Sequence, residues 1–302
     1  MKVIITDPLA KEGVQILKDA GLEVVEKSGL SPEDLIKEIP AYDAIVVRSA
    51  TKVTRPVIEA GTNLKVIGRA GVGLDNVDRE AAKEKGIAVL NTPAATSISV
   101  AELALGWMLA AARHLVTATV TLRDGKWAKK QLKGTELYGK TLGIVGSGRI
   151  GSELGKRAIA MGMNVLVLDP YIKECMYGQL CKLEELLPKA DYISLHLPHT
   201  DETHHLIGKK EFEQMKDGVI LINCSRGGIV DEEALYEACK SGKVAVAAVD
   251  VFEKEPLEDY RLFSLPNVIG SPHIGAQAKE GQFRAGTQIA EKVRDALLAG
   301  KK

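Results

Sequence analysis

The sequence predicts an α/β protein built on two doubly wound parallel sheets. Three observations carry that reading. Short runs that are apolar throughout alternate with helical patterns along the chain, and strands apolar on both faces belong to parallel sheets covered by helices. At 302 residues the chain is long enough for two such sheets, each with its own core. A polar, glycine-punctuated stretch, Arg123-Asp124-Gly125-Lys126-Trp127, separates one alternating series from the next.

The first series opens with a strand at Val3–Thr6. Leu9, Val14, Leu17 and Ala20 then fall at helical spacing, and Gly21 stops that helix. Leu22–Val25 is the next strand. Ser31-Pro32-Glu33-Asp34 is a helix start: a capping serine, a proline in the first turn, and two acids facing the helix dipole. Ala44–Val47, Val66–Gly68 and Ile87–Leu90 are further strands, and a long helix is expected from Ser99 to about Leu115. Past the polar stretch come six strands: Leu142–Val145, Asn164–Leu168, Tyr192–His196, Val219–Asn223, Val244–Val249 and Val268–Gly270. That number suits a dinucleotide-binding sheet. The chain ends in an amphipathic helix at about Lys279–Leu298.

Composition removes several function classes. Hydrophobic residues make up 45% and charged residues 26%, the balance of an ordinary globular protein. The 40 Lys+Arg cancel the 40 Asp+Glu, so the basic excess that nucleic acid or anionic membrane requires is missing, and neither partner is expected. A small basic pocket for a small anion stays compatible with that balance. The start, MKVIITDP, lacks the apolar core of a signal peptide, and the longest uncharged apolar stretch, Leu103–Ala112, is too short for a membrane span. Cys175, Cys181, Cys224 and Cys239 show no CxxC spacing. They are read as small buried thiols in a reducing, cytoplasmic setting.

The most specific motif is Gly146-Ser147-Gly148-Arg149-Ile150-Gly151. It follows the strand TLGIV and opens a helix, and the next strand ends in Asp169, 18 residues past Gly151. This is the context a dinucleotide fingerprint needs. The first glycine makes the tight turn, the second admits a pyrophosphate, and the third lets helix and strand pack. Asp169 would accept from the adenosine ribose hydroxyls and repel a 2′-phosphate, so NAD is expected over NADP.

Three polar segments sit at the ends of expected strands: Asn223-Cys224-Ser225-Arg226-Gly227-Gly228, the run from Asp250 to Pro256 containing Glu255, and Ser271-Pro272-His273. Parallel strand ends form the ligand crevice of such sheets, so Arg226, Glu255 and His273 can converge despite their separation. Pro272 biases Ser271 to an extended backbone and stiffens the exit of the last strand toward His273.

At these residues the chain resembles the D-isomer-specific 2-hydroxyacid dehydrogenases, through GSGRIG, SRGGIVDEEAL, VDVFEKEP and SPHIGA, along nearly the whole length. Within that family it is most similar to the branch that oxidises D-3-phosphoglycerate, through VVRSATKVT, GRAGVGLDNVD, SVAELALGWMLAAAR and DGKWAKK. The resemblance implies a Rossmann NAD-binding domain, residues 96–279, inserted in a flavodoxin-like substrate domain, residues 1–95 plus 280–302, with the reaction between them. It implies oxidation to 3-phosphohydroxypyruvate at the entry to serine synthesis. Because the chain stops soon after its last helix, the regulatory domains some members append, and serine inhibition through them, are not expected.

The roles implied are these. His273 moves the proton of the substrate hydroxyl. Glu255 fixes the imidazole tautomer and favours its charged form. Arg226 clamps the substrate carboxylate. Cofactor contacts are expected from Gly146, Gly148, Arg149, Ile150, Gly151, Asp169, Pro170, His196, Pro198, Thr203, Cys224, Ser225, Arg226, Asp250, His273 and Gly275. Gly275 is expected to let backbone pass close to the cofactor. Arg48, Lys52, Arg69, Gly71 and Val72 are expected to meet the substrate, their cations suiting a phosphate at its far end, with Lys129 or Lys130 as a further basic contact. The helix around Ser99–Arg113 is the expected contact of a homodimer or higher homo-oligomer.

His196, His199, His204 and His205 crowd one loop and invite a metal reading, but hydride transfer needs no metal, and none is expected. Two rivals remain: the same chemistry on glycerate, lactate or 2-hydroxyglutarate, and a non-catalytic NAD-sensing protein of the same fold.

Overall fold

The computed structural model describes residues 1–299; the last three positions of the expected 280–302 segment lie outside them. The chain divides into two compact units, Met1–Ser97 with the segment from Ala276 onward, and Ile98–Gly275.

The first unit holds β1 (Lys2–Ile5), β2 (Glu23–Glu26), β3 (Ala44–Val47), β4 (Val66–Arg69) and β5 (Ala88–Asn91), all parallel, in the order β2-β1-β3-β4-β5. This is the flavodoxin-like order. Every residue of β3 is buried because both faces are covered. On one face Ile4, Ile45 and Ile67 pack with Leu35, Val57 and Ile58. On the other, Val3, Ile5 and Val46 meet Ile289, Val293 and Leu297 of the last helix, Lys279–Leu298. The start of helix Pro32–Glu38 follows the local rule, with the Asp34 amide donating to Ser31 Oγ at 3.1 Å.

The second unit holds β6 (Thr141–Val145), β7 (Asn164–Leu168), β8 (Gln179–Leu180), β9 (Tyr192–Leu195), β10 (Val219–Asn223), β11 (Val244–Val249) and β12 (Val268–Gly270). Their order, β12-β11-β10-β9-β6-β7-β8, is that of a Rossmann sheet with one added edge strand, and all pairs are parallel. The winding reverses between β6 and β9, so the loops leaving those strands flank the switch point where such sheets bind nucleotides.

Local structure departs from the sequence reading at several points. The long helix ends early: it runs Ser97–Ala112, His114 turns left-handed at φ 52°, and a separate helix occupies Leu115–Arg123. The Thr135 amide captures the Ala112 carbonyl at 2.9 Å, a distant partner that no local pattern reveals. The stretch Arg123–Trp127 lies inside the second unit. Strand β8 escaped notice because it is two residues long and pairs only with β7. The cysteines divide, with Cys224 and Cys239 buried and Cys175 and Cys181 half-buried.

Among the described residues no single helix is long and apolar enough to cross a membrane. The helix Leu115–Arg123 buries none of its residues and shows Leu115, Val116, Val120 and Leu122 to solvent.

The last helix is the cover of one whole sheet face. Ile289→Ala, at a fully buried position, is expected to cost about 2–5 kcal/mol, read as a lower denaturant midpoint with an unchanged slope.

Candidate active site

The glycine-rich turn is built as its spacing requires. Gly146 takes φ 94°, which a side chain resists. A Cβ on Gly151 would overlap the Gly146 carbonyl, so strand and helix approach only because it is glycine. A Cβ on Gly148 would meet nothing within 4 Å. That open side adjoins helix Arg149–Ala160, whose N-cap supplies no side-chain bond. Its first amides therefore point free N–H groups at a space fit for phosphate. Ser147 is buried, its Oγ finds no hydrogen-bond partner, and its amide donates to Asp169 Oδ2 at 2.8 Å. Asp169 Oδ1 accepts from the Tyr171 amide at 2.9 Å. The acid is thus held at the end of β7 facing the glycine turn, while Arg149 and Pro170 lie exposed and Ile150 half-buried beside it. These features fit a dinucleotide.

The loop after β9 begins with His196, whose Nε2 lies 2.9 Å from Ser194 Oγ. Burial lowers its pKa to about 4, so it is neutral at working pH. Thr203 Oγ1 donates to the Pro198 carbonyl at 2.7 Å and closes this loop on itself. His199 Nε2 and His204 Nδ1 sit 3.0 Å apart. Among the described residues no group of three or more His, Cys, Asp or Glu side chains forms a metal-ligand set.

At the ends of β10, β11 and β12 the three polar segments come together. His273 Nδ1 lies 2.7 Å from Glu255 Oε2. That bond raises the imidazole pKa against burial, assisted by the charges of Glu255 and Asp250 and opposed by that of Arg226. Burial of Glu255 resists ionisation, but His273, the Phe252 amide (3.0 Å to Oε1) and the Arg226 charge outweigh it and hold the carboxyl below its usual range. The His273 side chain is 46% exposed. Arg226 Nη1 donates to the Ser225 carbonyl at 2.7 Å, and the Asn223 side chain donates to the Arg226 carbonyl at 3.1 Å. Ser225 and Cys224 are buried, and burial pushes the Cys224 thiol up, keeping it protonated.

Asp250 does more than sequence reasoning assigned. It is fully buried. Oδ1 accepts from Ser271 Oγ at 2.6 Å and the Ile274 amide at 2.8 Å, and Oδ2 accepts from the Gly275 amide at 2.8 Å. The loop wrapped on this carboxylate holds His273 at φ 52°, a conformation uncommon outside glycine and asparagine. Gly275 is buried against Asp250 Oδ2 and Val100, which accounts for its small size within the protein itself.

In the first unit, Arg48 and Lys52 flank a loop tied to Asp7, the buried acid at the end of β1. Asp7 Oδ2 accepts from the Arg48 amide at 2.6 Å, and Oδ1 from Thr51 Oγ1 at 2.7 Å. Asn76 donates to the Arg48 carbonyl at 2.8 Å, and Asn91 to the Val72 carbonyl at 2.6 Å. Arg69 ends β4, and Gly71 follows it at φ 151°. The part of Asp7 was missed; a buried acid at the end of an apolar strand is the signal that could have found it. Lys129 and Lys130 are exposed on a short 3₁₀ turn of the second unit.

The model of the D-isomer specific 2-hydroxyacid dehydrogenase NAD binding domain matches residues 105–275. The chain belongs to the D-isomer specific 2-hydroxyacid dehydrogenase family. It is 53% identical to a D-3-phosphoglycerate dehydrogenase of Methanocaldococcus jannaschii over 302 residues, 98% of this chain but 57% of that protein. It is 52% identical to a hydroxypyruvate reductase of Thermotoga maritima over 97% of each chain. Among solved structures, the TT0316 protein of Thermus thermophilus superposes with a TM-score of 0.93 at 38% identity, covering 99% of this chain and 97% of that one. D-lactate dehydrogenase of Aquifex aeolicus, solved with NAD and lactic acid, gives 0.86 at 30%, covering 99% and 96%. The chain thus spans little more than half of the first phosphoglycerate dehydrogenase and nearly all of the reductase. Its second unit is a family NAD-binding domain.

Two outcomes test this site. Asp169→Asn should shift the preference for NAD over NADP, taken as the ratio of their dissociation constants, by about tenfold or more toward NADP, the equivalent of one charged hydrogen bond. Titration of the free protein with each nucleotide reads it, and an unchanged ratio removes Asp169 from the role. Glu255→Gln should lower the His273 pKa, because its chief support is gone. An oxidation that draws on neutral His273 as proton acceptor climbs in rate as pH passes through the raised pKa, and that rising limb should move to lower pH in the variant.

Proposed function

We propose that this chain oxidises D-3-phosphoglycerate to 3-phosphohydroxypyruvate with NAD, the entry to serine synthesis. The observation that carries the reading is the 2.7 Å bond between His273 Nδ1 and Glu255 Oε2, beside Arg226 at the ends of the nucleotide-sheet strands. With Nδ1 engaged by the carboxylate, the free Nε2 accepts the proton of the substrate hydroxyl. Glu255 stabilises the imidazolium so formed. Arg226 meets the substrate carboxylate in a planar fork and steadies the charge that grows on the reacting oxygen. NAD supplies the acceptor for the hydrogen that leaves carbon with its electron pair. Gly146, Gly148, Gly151 and the amides of helix Arg149–Ala160 would hold the pyrophosphate, Asp169 the ribose. His196, Pro198, Thr203, Cys224, Ser225, Asp250 and Gly275 complete the proposed cofactor lining. Arg48, Lys52, Arg69, Gly71 and Val72 are the proposed phosphate and substrate contacts, with Lys129 or Lys130 adding charge.

A second reading has its own support: the Thermotoga maritima hydroxypyruvate reductase matches this chain along 97% of both lengths. Reduction of an unphosphorylated 3-carbon keto acid would use the same His273, now as proton donor. Initial rates decide between them. D-3-phosphoglycerate should be preferred over D-glycerate in kcat/KM by about 10²-fold or more, the loss expected when a charged contact is unmet. Equal rates would leave the phosphate contacts without a role and favour the reductase. His273→Ala should lower kcat by about 10²–10⁴-fold while NAD still binds.

A further inference from the structure

The loop after β9 carries a histidine that the dehydrogenase reading leaves without a task. His205 stands at φ 49°, in the left-handed region, so its placement is enforced by its surroundings. Its amide donates to the Gly228 carbonyl at 2.7 Å, two residues past Arg226. Its Nε2 lies 3.0 Å from Glu253 Oε1, two residues before Glu255. One residue therefore grips both segments that present the substrate-handling side chains.

The neighbouring bonds make this grip continuous. The Glu253 amide donates to Glu232 Oε1 at 2.8 Å, and the Glu232 amide to Glu253 Oε1 at 3.4 Å, which ties the Glu255 segment to the start of helix Glu232–Lys240. The Ile207 amide donates to the Ile229 carbonyl at 3.1 Å, and the Asp231 amide to the Ile207 carbonyl at 3.0 Å. At Gly227 a Cβ would overlap the Phe252 carbonyl, so the two segments are in backbone contact. The charged groups facing His205 are Glu253, Asp231 (3.9 Å from Nδ1) and Glu232, with His204 stacked on the ring at 3.9 Å and His199 bonded to His204 in turn.

We propose that His205 is a positioning residue that clamps the Arg226 and Glu255 segments in register, so that Glu255 meets His273. It contacts none of the reacting atoms. The proposal rests on the acid/base reading of Glu255 and His273.

The test compares the full chain with His205→Gly and His205→Gln. Glycine relieves the left-handed backbone and keeps the amide bond to Gly228, so its effect belongs to the imidazole. Glutamine keeps a donor within reach of Glu253. The His273 ring resonance is titrated by NMR without substrate, and kcat and KM are measured beside it. His205→Gly should lower the His273 pKa by about half a unit or more and kcat by about tenfold, with the KM for NAD unchanged; His205→Gln should recover most of both. An unchanged or raised pKa in His205→Gly, or a glutamine variant as impaired as the glycine one, overturns the clamp. A lowered pKa in a protein whose wild type turns over no hydroxy acid keeps the clamp and removes the catalytic reading instead.

Discussion

A buried carboxylate, Asp250, gathers the end of β12 around itself. With no solvent to share its charge, it must be satisfied by donors from its own chain, and the Ser271 hydroxyl and the Ile274 and Gly275 amides provide them. That wrapping leaves His273 one residue inside the curl, in a backbone state it would not choose alone. The geometry of the Glu255 contact, and with it the charge state of the imidazole, follows from this constraint. The side chains of Arg226, Glu255 and His273 are exposed or half-exposed; what places them is not.

Parallel winding supplies the wider frame. Every strand of the larger sheet ends on the same edge, so polar residues set just past apolar runs meet there without any sequence proximity. The same rule operates in the smaller unit, where Asp7 at the end of β1 fastens the Arg48 loop as Asp250 fastens the His273 loop. Buried acids thus recur as the pins of exposed, cation-bearing loops. The arrangement is economical because a carboxylate accepts several amide bonds at once.

The histidine-rich loop shows how composition misleads when read apart from structure. Four histidines within ten residues suggest ligands, yet they divide by environment. His196 is driven neutral by burial, His199 and His204 pair with each other, and His205 turns to Glu253.

Local pattern sufficed for much of this protein. Apolar runs marked every strand but the two-residue β8, the GxGxxG motif marked the glycine turn that meets Asp169, and the Ser31 cap and the last helix stood where their spacing put them. These features depend on neighbours a few residues away, which a sequence displays directly. Tertiary structure alone decided the rest: the break at His114, the left-handed turns at His205 and His273, the 2.7 Å meeting of Glu255 with His273, and the parts of Asp7 and Asp250. Each arises from a donor and an acceptor far apart in the chain, or from the cost of leaving a charge unsatisfied in the interior. Such terms exist only once the sheets have assembled.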